Sequence, residues 1–417
     1  MIRSKFIISP IIVLGYSFLL YFMLDGLLEF IDYVGNEDQS TLGIPNNTWL
    51  FYFKVTAIFL MIVLMILRNP KKALQNSLLM FTSIFITLSI LEITCKLILN
   101  SQVPVNAKDI AQSSPLASAG CSHLGPDYTN VYRLDNQLGI LPKASQTFHW
   151  RKTCDNQYDI YNVTFSTDSF SRRITPPSNN NTNKYALFFG CSFTFGEGLQ
   201  DYQTLPFFFQ DLKPQFKSYN YAFNSFTTTH MLAHLNRPDF RREITEKEGV
   251  AFYVFYEGHI DRNIPSMSWG RSWNGNYLVY DKNSTPKTTV IAQSRPIKYW
   301  LFNKAKDMAL INLFKIDYPL KITKQHTLKT ADIIEDAYHT YVQKFDNNNF
   351  FVLVYPGSQL PVLVKQRLQC LNIKILEYTE LFSIKNIEYW IKYDGHPNEL
   401  ANRRVAEEII KDLGENL

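Results

Sequence analysis

A hydroxyl at Ser192 and an imidazole at His396 are the two side chains whose settings in this chain point to chemistry. Serine is a weak nucleophile at neutral pH and becomes a competent one when a base takes its proton and a third group orients that base. Ser192 closes the run Lys184-Tyr-Ala-Leu-Phe-Phe-Gly-Cys-Ser192, an apolar stretch that breaks at Gly190 into a turn of small residues. Such a strand end is where α/β sheets hold their reactive groups. His396 lies in Tyr393-Asp394-Gly395-His396-Pro397-Asn398, just before an amphipathic pattern, and Asp394 is the acid placed to hold its ring. Cys191 offers a thiol beside Ser192, but consecutive residues at a strand end point in different directions, so only one of them faces a cleft. His230 and His234 stand at helical spacing without a third ligand, and no metal or other cofactor is expected.

The elements that must position these groups read as strands alternating with helices. Strands are expected at 185–189, 218–223, 250–256, 350–355 and 373–378, and helices at 204–212, with Pro206 in the first turn, at 227–236 and at 398–413. Unbroken apolar strands separated by helices predict an α/β fold, a parallel sheet covered by helices on both faces. An insertion at about 263–349 carries a hairpin near 277–290 and helices near 297–314 and 330–345. Its Trp269, Trp273 and Tyr277 offer a surface for stacking a sugar, weighed against simple packing. Ahead of the sheet, residues 100–183 read as a linker followed by a small β-rich lead-in, in which Tyr161, Val163 and Phe165 alternate with polar residues.

Gly190-Cys-Ser192-Phe-Thr-Phe-Gly196-Glu-Gly198, followed by Asp201 and Thr204-Leu-Pro206 and paired with the terminal Asp-x-His-Pro-Asn, resembles the GDSL-like, or SGNH, hydrolase superfamily over residues 184–413. The resemblance implies a three-layer fold with Ser192, rather than Cys191, as nucleophile, His396 as base and Asp394 as its orienting acid. It also implies an oxyanion hole from the main-chain N–H groups of Ser192 and Ser225, the latter standing where the superfamily has glycine. In the third block, Phe255-Tyr-Glu257-Gly258-His259 replaces the usual asparagine, and His259 is the expected substitute donor. Ser225 is tolerable there if its φ is negative and costly if the site demands a left-handed backbone. The implied activity is that of a serine esterase or deacylase, the same acyl-enzyme passing to a sugar hydroxyl in an O-acyltransferase. A silent binding or scaffold protein that keeps the fold is the reading the altered blocks support.

The first 99 of the 417 residues are of another character. Residues 6–24 are uncharged, 49–67 carry only Lys54, and 77–99 are apolar except for Glu92 and Lys96, so three membrane spans are expected. Arg3, Lys5, Arg68, Lys71 and Lys72 flank the cytoplasmic ends, and the acidic loop at 32–48 lies opposite them. Everything after about residue 100, the domain at 184–417 included, then falls outside the membrane, in a periplasmic or otherwise extracytoplasmic compartment where Cys121 and Cys154 are the candidate disulfide. The bilayer and an ester-bearing glycan or small acyl ester are the expected partners. A net charge of +5, partly owed to those flanks, gives no reason to expect nucleic acid.

Overall fold

The computed structural model describes residues 40–41, 44–45, 71, 75, 86–87, 89–98, 123–124, 130–154, 158–177 and 182–414. The expected spans at 6–24 and 49–67, residues 77–85 of the third, and the side chains of Cys121 and Cys154 lie outside these residues. No helix among the described residues is long and apolar enough to cross a membrane. The chain divides into two units, residues 1–101 with 307–323, and residues 102–306 with 324–417.

After a two-residue strand, His123–Leu124, the larger unit carries antiparallel pairs: β1 (Tyr132–Asp135) with β2 (Gly139–Pro142), and β3 (Thr147–Cys154) with β4 (Tyr158–Ser166). Alternation in β4 buries Tyr161, Val163 and Phe165 and exposes the residues between them, as a half-buried strand requires. The central sheet comes next in the chain. Its strands are β5 (Lys184–Phe189), β6 (Phe216–Asn220), β7 (Glu248–Phe255), β8 (Phe350–Val354) and β9 (Lys374–Glu377). Among the described residues these five pair in the order β9-β8-β7-β5-β6, all parallel.

Parallel neighbours need crossovers, and the crossovers here are helices that cover both faces. Leu187, Phe189, Tyr253, Phe255, Val352 and Val354 point to one side. There they meet α3 (Thr228–Asn236), α5 (Lys324–Phe345) and α6 (Val362–Cys370). Ala186, Phe188, Phe252, Val254, Phe351 and Leu353 point to the other, against α2 (Leu205–Leu212) and α7 (Glu399–Leu413). Apolar side chains on both sides of each central strand are why the sequence reads as unbroken rather than alternating. Two short helices follow strand ends, α1 (Ser192–Phe195) after β5 and α4 (His259–Arg262) after β7.

Several boundaries differ from the pattern-based expectation. The second strand spans Phe216–Asn220, because Ala222 and Phe223 leave the sheet to join a third cluster with Phe148, Trp150, Phe165, Phe195 and Phe226. The helix expected over 297–314 is two helices, Pro296–Ala305 and Ala309–Leu313, and the short helix Ile291–Ser294 ahead of them stops where Pro296 lacks the N–H to continue it. α5 lies within the expected insertion yet packs on the sheet as the crossover joining β7 to β8. In the smaller unit, helical residues 89–98 expose Ile90, Leu91, Ile93 and Leu97. Glu92 there accepts hydrogen bonds from the first N–H groups of Ala309–Leu313, at 3.0 Å from Leu310 N.

Candidate active site

The turn after β5 is built for close approach. A Cβ on Gly190 would lie 2.1 Å from Thr194 Oγ1, so only glycine lets α1 fold back against the strand end. Cys191 stays extended and buried, and Ser192 opens α1 with 7 % of its surface exposed. α1 lasts one turn and ends on Gly196 at φ +87°. Arg173, fully buried, fixes the chain beyond that turn: its guanidinium donates to the carbonyls of Phe195 (3.0 Å), Gly196 (2.6 Å) and Leu199 (2.5 Å) and to Asp201 Oδ1 (2.8 Å). Asn220, closing β6, donates to Thr194 O at 3.1 Å, which ties the second strand end to the same turn.

The base arrives on a turn before α7. Ile391 N donates to His396 O at 2.8 Å, and Tyr393 at φ +62° and Gly395 at φ +86° make the reversal tight. Tightness is what lets an acid and a histidine separated by one residue face each other. Asp394 Oδ1 accepts from His396 N at 3.1 Å and hydrogen-bonds His396 Nδ1. His396 Nε2 lies 2.9 Å from Ser192 Oγ. Because an ionised carboxylate only accepts, Nδ1 carries the proton and Nε2 is left free to accept from the serine. Ser192, His396 and Asp394, 204 residues apart at the extremes of the serine–histidine bond, thus form one hydrogen-bonded array at the carboxyl ends of parallel strands.

Two further side chains complete the electrostatics. Lys152, on β3, donates to Asp394 Oδ2 at 2.5 Å, and the Asp394 side chain is wholly buried. Glu197, two residues past α1, places Oε2 3.4 Å from His396 Nε2; Asn224 donates to that oxygen at 2.7 Å and Tyr161 to Oε1 at 3.3 Å. Burial opposes ionisation of Asp394, yet the His396 hydrogen bond and charge, with Lys152, hold its carboxyl well below the usual range. Burial likewise disfavours the His396 imidazolium. The charge of Glu197 and the hydrogen bond and charge of Asp394 outweigh it and raise the ring above its ordinary value, with Lys152 working against them. Glu197, Asp394 and His396 lie close enough to hold a cation, but both ring nitrogens already serve the serine and the acid, so a metal would displace the array.

The oxyanion-hole residues fall differently. Among the described residues neither the Ser192 nor the Ser225 N–H meets an acceptor. Ser225 adopts φ +64°, the costly alternative for a serine in a glycine position. His259 is fully buried at the start of α4; its Nδ1 lies 2.7 Å from the Tyr253 hydroxyl, and no partner reaches its Nε2 among the described residues. Burial keeps that ring neutral, aided by the charge of Arg262. His230 and His234 are buried packing residues, His230 pushed down to about 3 by burial and by Arg262, and stacked on Phe226 with centroids 4.2 Å apart. Tyr277 is 1 % exposed with its hydroxyl on Arg262 O, and Trp273 packs edge-on to Tyr132, so two of the three aromatics considered for sugar stacking are held in packing. Glu197, Lys152, Tyr161, Asn220 and Arg173 carried no chemical signal in the sequence beyond the glutamate's place inside the first block.

No family model matches the chain, and no curated protein matches it. Among solved structures, it is similar to a member of the lipolytic protein G-D-S-L family from Veillonella parvula DSM 2008, at 13% identity over 56% of this chain and 100% of that one, with a TM-score of 0.32. A putative lipolytic protein of the G-D-S-L family from Desulfitobacterium hafniense DCB-2 is likewise 13% identical over 54% of this chain and 98% of its own, with a TM-score of 0.28. At such values the reading of the site rests on its own geometry.

Proposed function

We propose that the chain is a serine esterase or deacylase of the SGNH type, and the hydrogen-bonded array Ser192–His396–Asp394 is the observation that carries the reading. Ser192 Oγ attacks an ester carbonyl while its proton passes to His396 Nε2; the same proton then goes to the leaving alcohol as the C–O bond breaks. Water, activated by the same nitrogen, discharges the acyl-enzyme. The oxyanion is held by the N–H groups of Ser192 and Ser225. His259, the third donor expected from the sequence, is buried with Nδ1 on the Tyr253 hydroxyl and Nε2 without a partner among the described residues.

Transfer to a sugar hydroxyl instead of water is the alternative with the same first half-reaction. An intact array at hydrogen-bond distance favours catalysis over a silent scaffold. The apolar N-terminal runs and their basic flanks support a membrane-attached protein whose sheet domain faces envelope or exported glycans. The experiment is p-nitrophenyl acetate hydrolysis by the full chain in detergent. Ser192→Ala and His396→Ala are each expected to lower kcat by about 10³-fold or more. A folded wild type no faster than the two variants would refute the proposal.

A further inference from the structure

We infer that Glu197 is a positioning residue for His396, a second carboxylate on the nitrogen that takes the serine proton, and that the strand pair ahead of the sheet supplies the side chains that hold both carboxylates. Glu197 Oε2 stands 3.4 Å from His396 Nε2, on the atom opposite the Asp394 bond. A buried carboxylate with 6 % exposure is costly unless its oxygens are satisfied, and both are: Asn224 holds Oε2 and Tyr161 holds Oε1. The turn that carries it is itself clamped by Arg173 through the carbonyls on either side. An acid so held is built into the site rather than left over from solubility.

Its consequence lies in the path of the proton. When Ser192 Oγ forms its bond to the acyl carbon, the Oγ–H bond breaks and the proton moves to Nε2, leaving a ring with one positive charge between two carboxylates. Glu197 stabilises that charge and accepts no proton itself, so the ring can still deliver it to the leaving oxygen. Lys152 opposes this, since its ammonium neutralises the outer oxygen of Asp394. Facing His396, then, are Ser192 from α1, Glu197 from the following turn, Lys152 from β3 and Asp394 from its own turn, with Tyr161 of β4 and Asn224 acting through Glu197. Exposed Lys392 lies over the Tyr393 ring on the same turn. Lys152 and Tyr161 both come from the antiparallel pair β3–β4, which packs Trp150 and Phe165 against Phe195 of α1. The lead-in sheet is therefore part of the site rather than a spacer before it.

The test is titration of the His396 ring by NMR in the full chain labelled with carbon-13 histidine, with His396→Ala assigning its signal among the eight histidines. Glu197→Gln is expected to move the midpoint down, and Lys152→Met to move it up. Melting temperature is followed in parallel. If Glu197→Gln unfolds early, Glu197→Asp withdraws the charge by one methylene and should give a smaller downward shift. The acid limb of esterase activity should show the same opposite displacements, which a merely structural role would not produce. Midpoints unchanged in both variants, or moved in the same direction, would overturn the inference. The inference rests on the hydrolase reading for its catalytic meaning, but the ring is titrated without substrate: a wild type that titrates as expected and hydrolyses nothing would refute the hydrolase reading alone.

Discussion

Ser225 shows at the level of one residue how a recognisable motif can be kept at a cost. Its N–H is useful to an oxyanion only if the loop after β6 keeps its shape, and that shape puts the serine at φ +64°. A left-handed backbone costs a residue with a Cβ about 1–2 kcal/mol relative to the ordinary helical region, part of which glycine returns through its larger unfolded-state freedom. Ser225→Gly should therefore stabilise the protein by about 0.5–1 kcal/mol, seen as a higher melting temperature, with esterase activity kept. A lower melting temperature would mean that the serine side chain contributes more than its backbone costs. Ser192, His396 and Asp394 were legible because each sits in a short local pattern. Glu197 was visible only as a letter in the first block. Lys152 was not legible at all, since its partner Asp394 is 242 residues away and no local pattern announces such a contact.

Elements explain why the array survives such separations. The sheet order and the two covered faces were readable from apolar strands alternating with helices, because burial on both sides leaves an unbroken apolar run. The sequence pattern did not show that β3–β4 would reach the site, since a half-buried strand declares which residues it buries and not against what. Arg173, at the end of that region, links the two: one guanidinium holds three carbonyls of the turn beyond Ser192 and pairs with Asp201. Burial lowers its tendency to stay charged, and Asp201 works against that loss. Arg173→Met removes the donor shared by those carbonyls and the charge paired with Asp201, which keeps its bond from Ser166 N, and the expected cost is about 3–5 kcal/mol of stability with loss of esterase activity. A variant that melts with the wild type and keeps its rate would show that the turn holds itself.

For the whole molecule, the apolar N-terminal quarter and its basic flanks set the proposed topology. Cys370 gives a direct readout, being a free, exposed thiol at the end of α6, whereas Cys191 and Cys95 are buried. In intact cells a membrane-impermeant maleimide should label the wild type more strongly than Cys370→Ser, as the orientation read from the basic flanks requires. Equal labelling before lysis, with a difference appearing only after it, would place the sheet domain on the inner side. The apolar character of residues 1–99 was legible in composition. The joining of 307–323 to the N-terminal residues was not, because it depends on a contact between Glu92 and a short helix more than 200 residues later.

The central claim is that Ser192 is an activated nucleophile, and a fluorophosphonate probe with peptide mapping of the adduct tests it without knowledge of the natural ester. The account predicts one adduct, on Ser192, absent in Ser192→Ala and formed far more slowly in His396→Ala. No adduct on the folded wild type, or one on another residue, would contradict it.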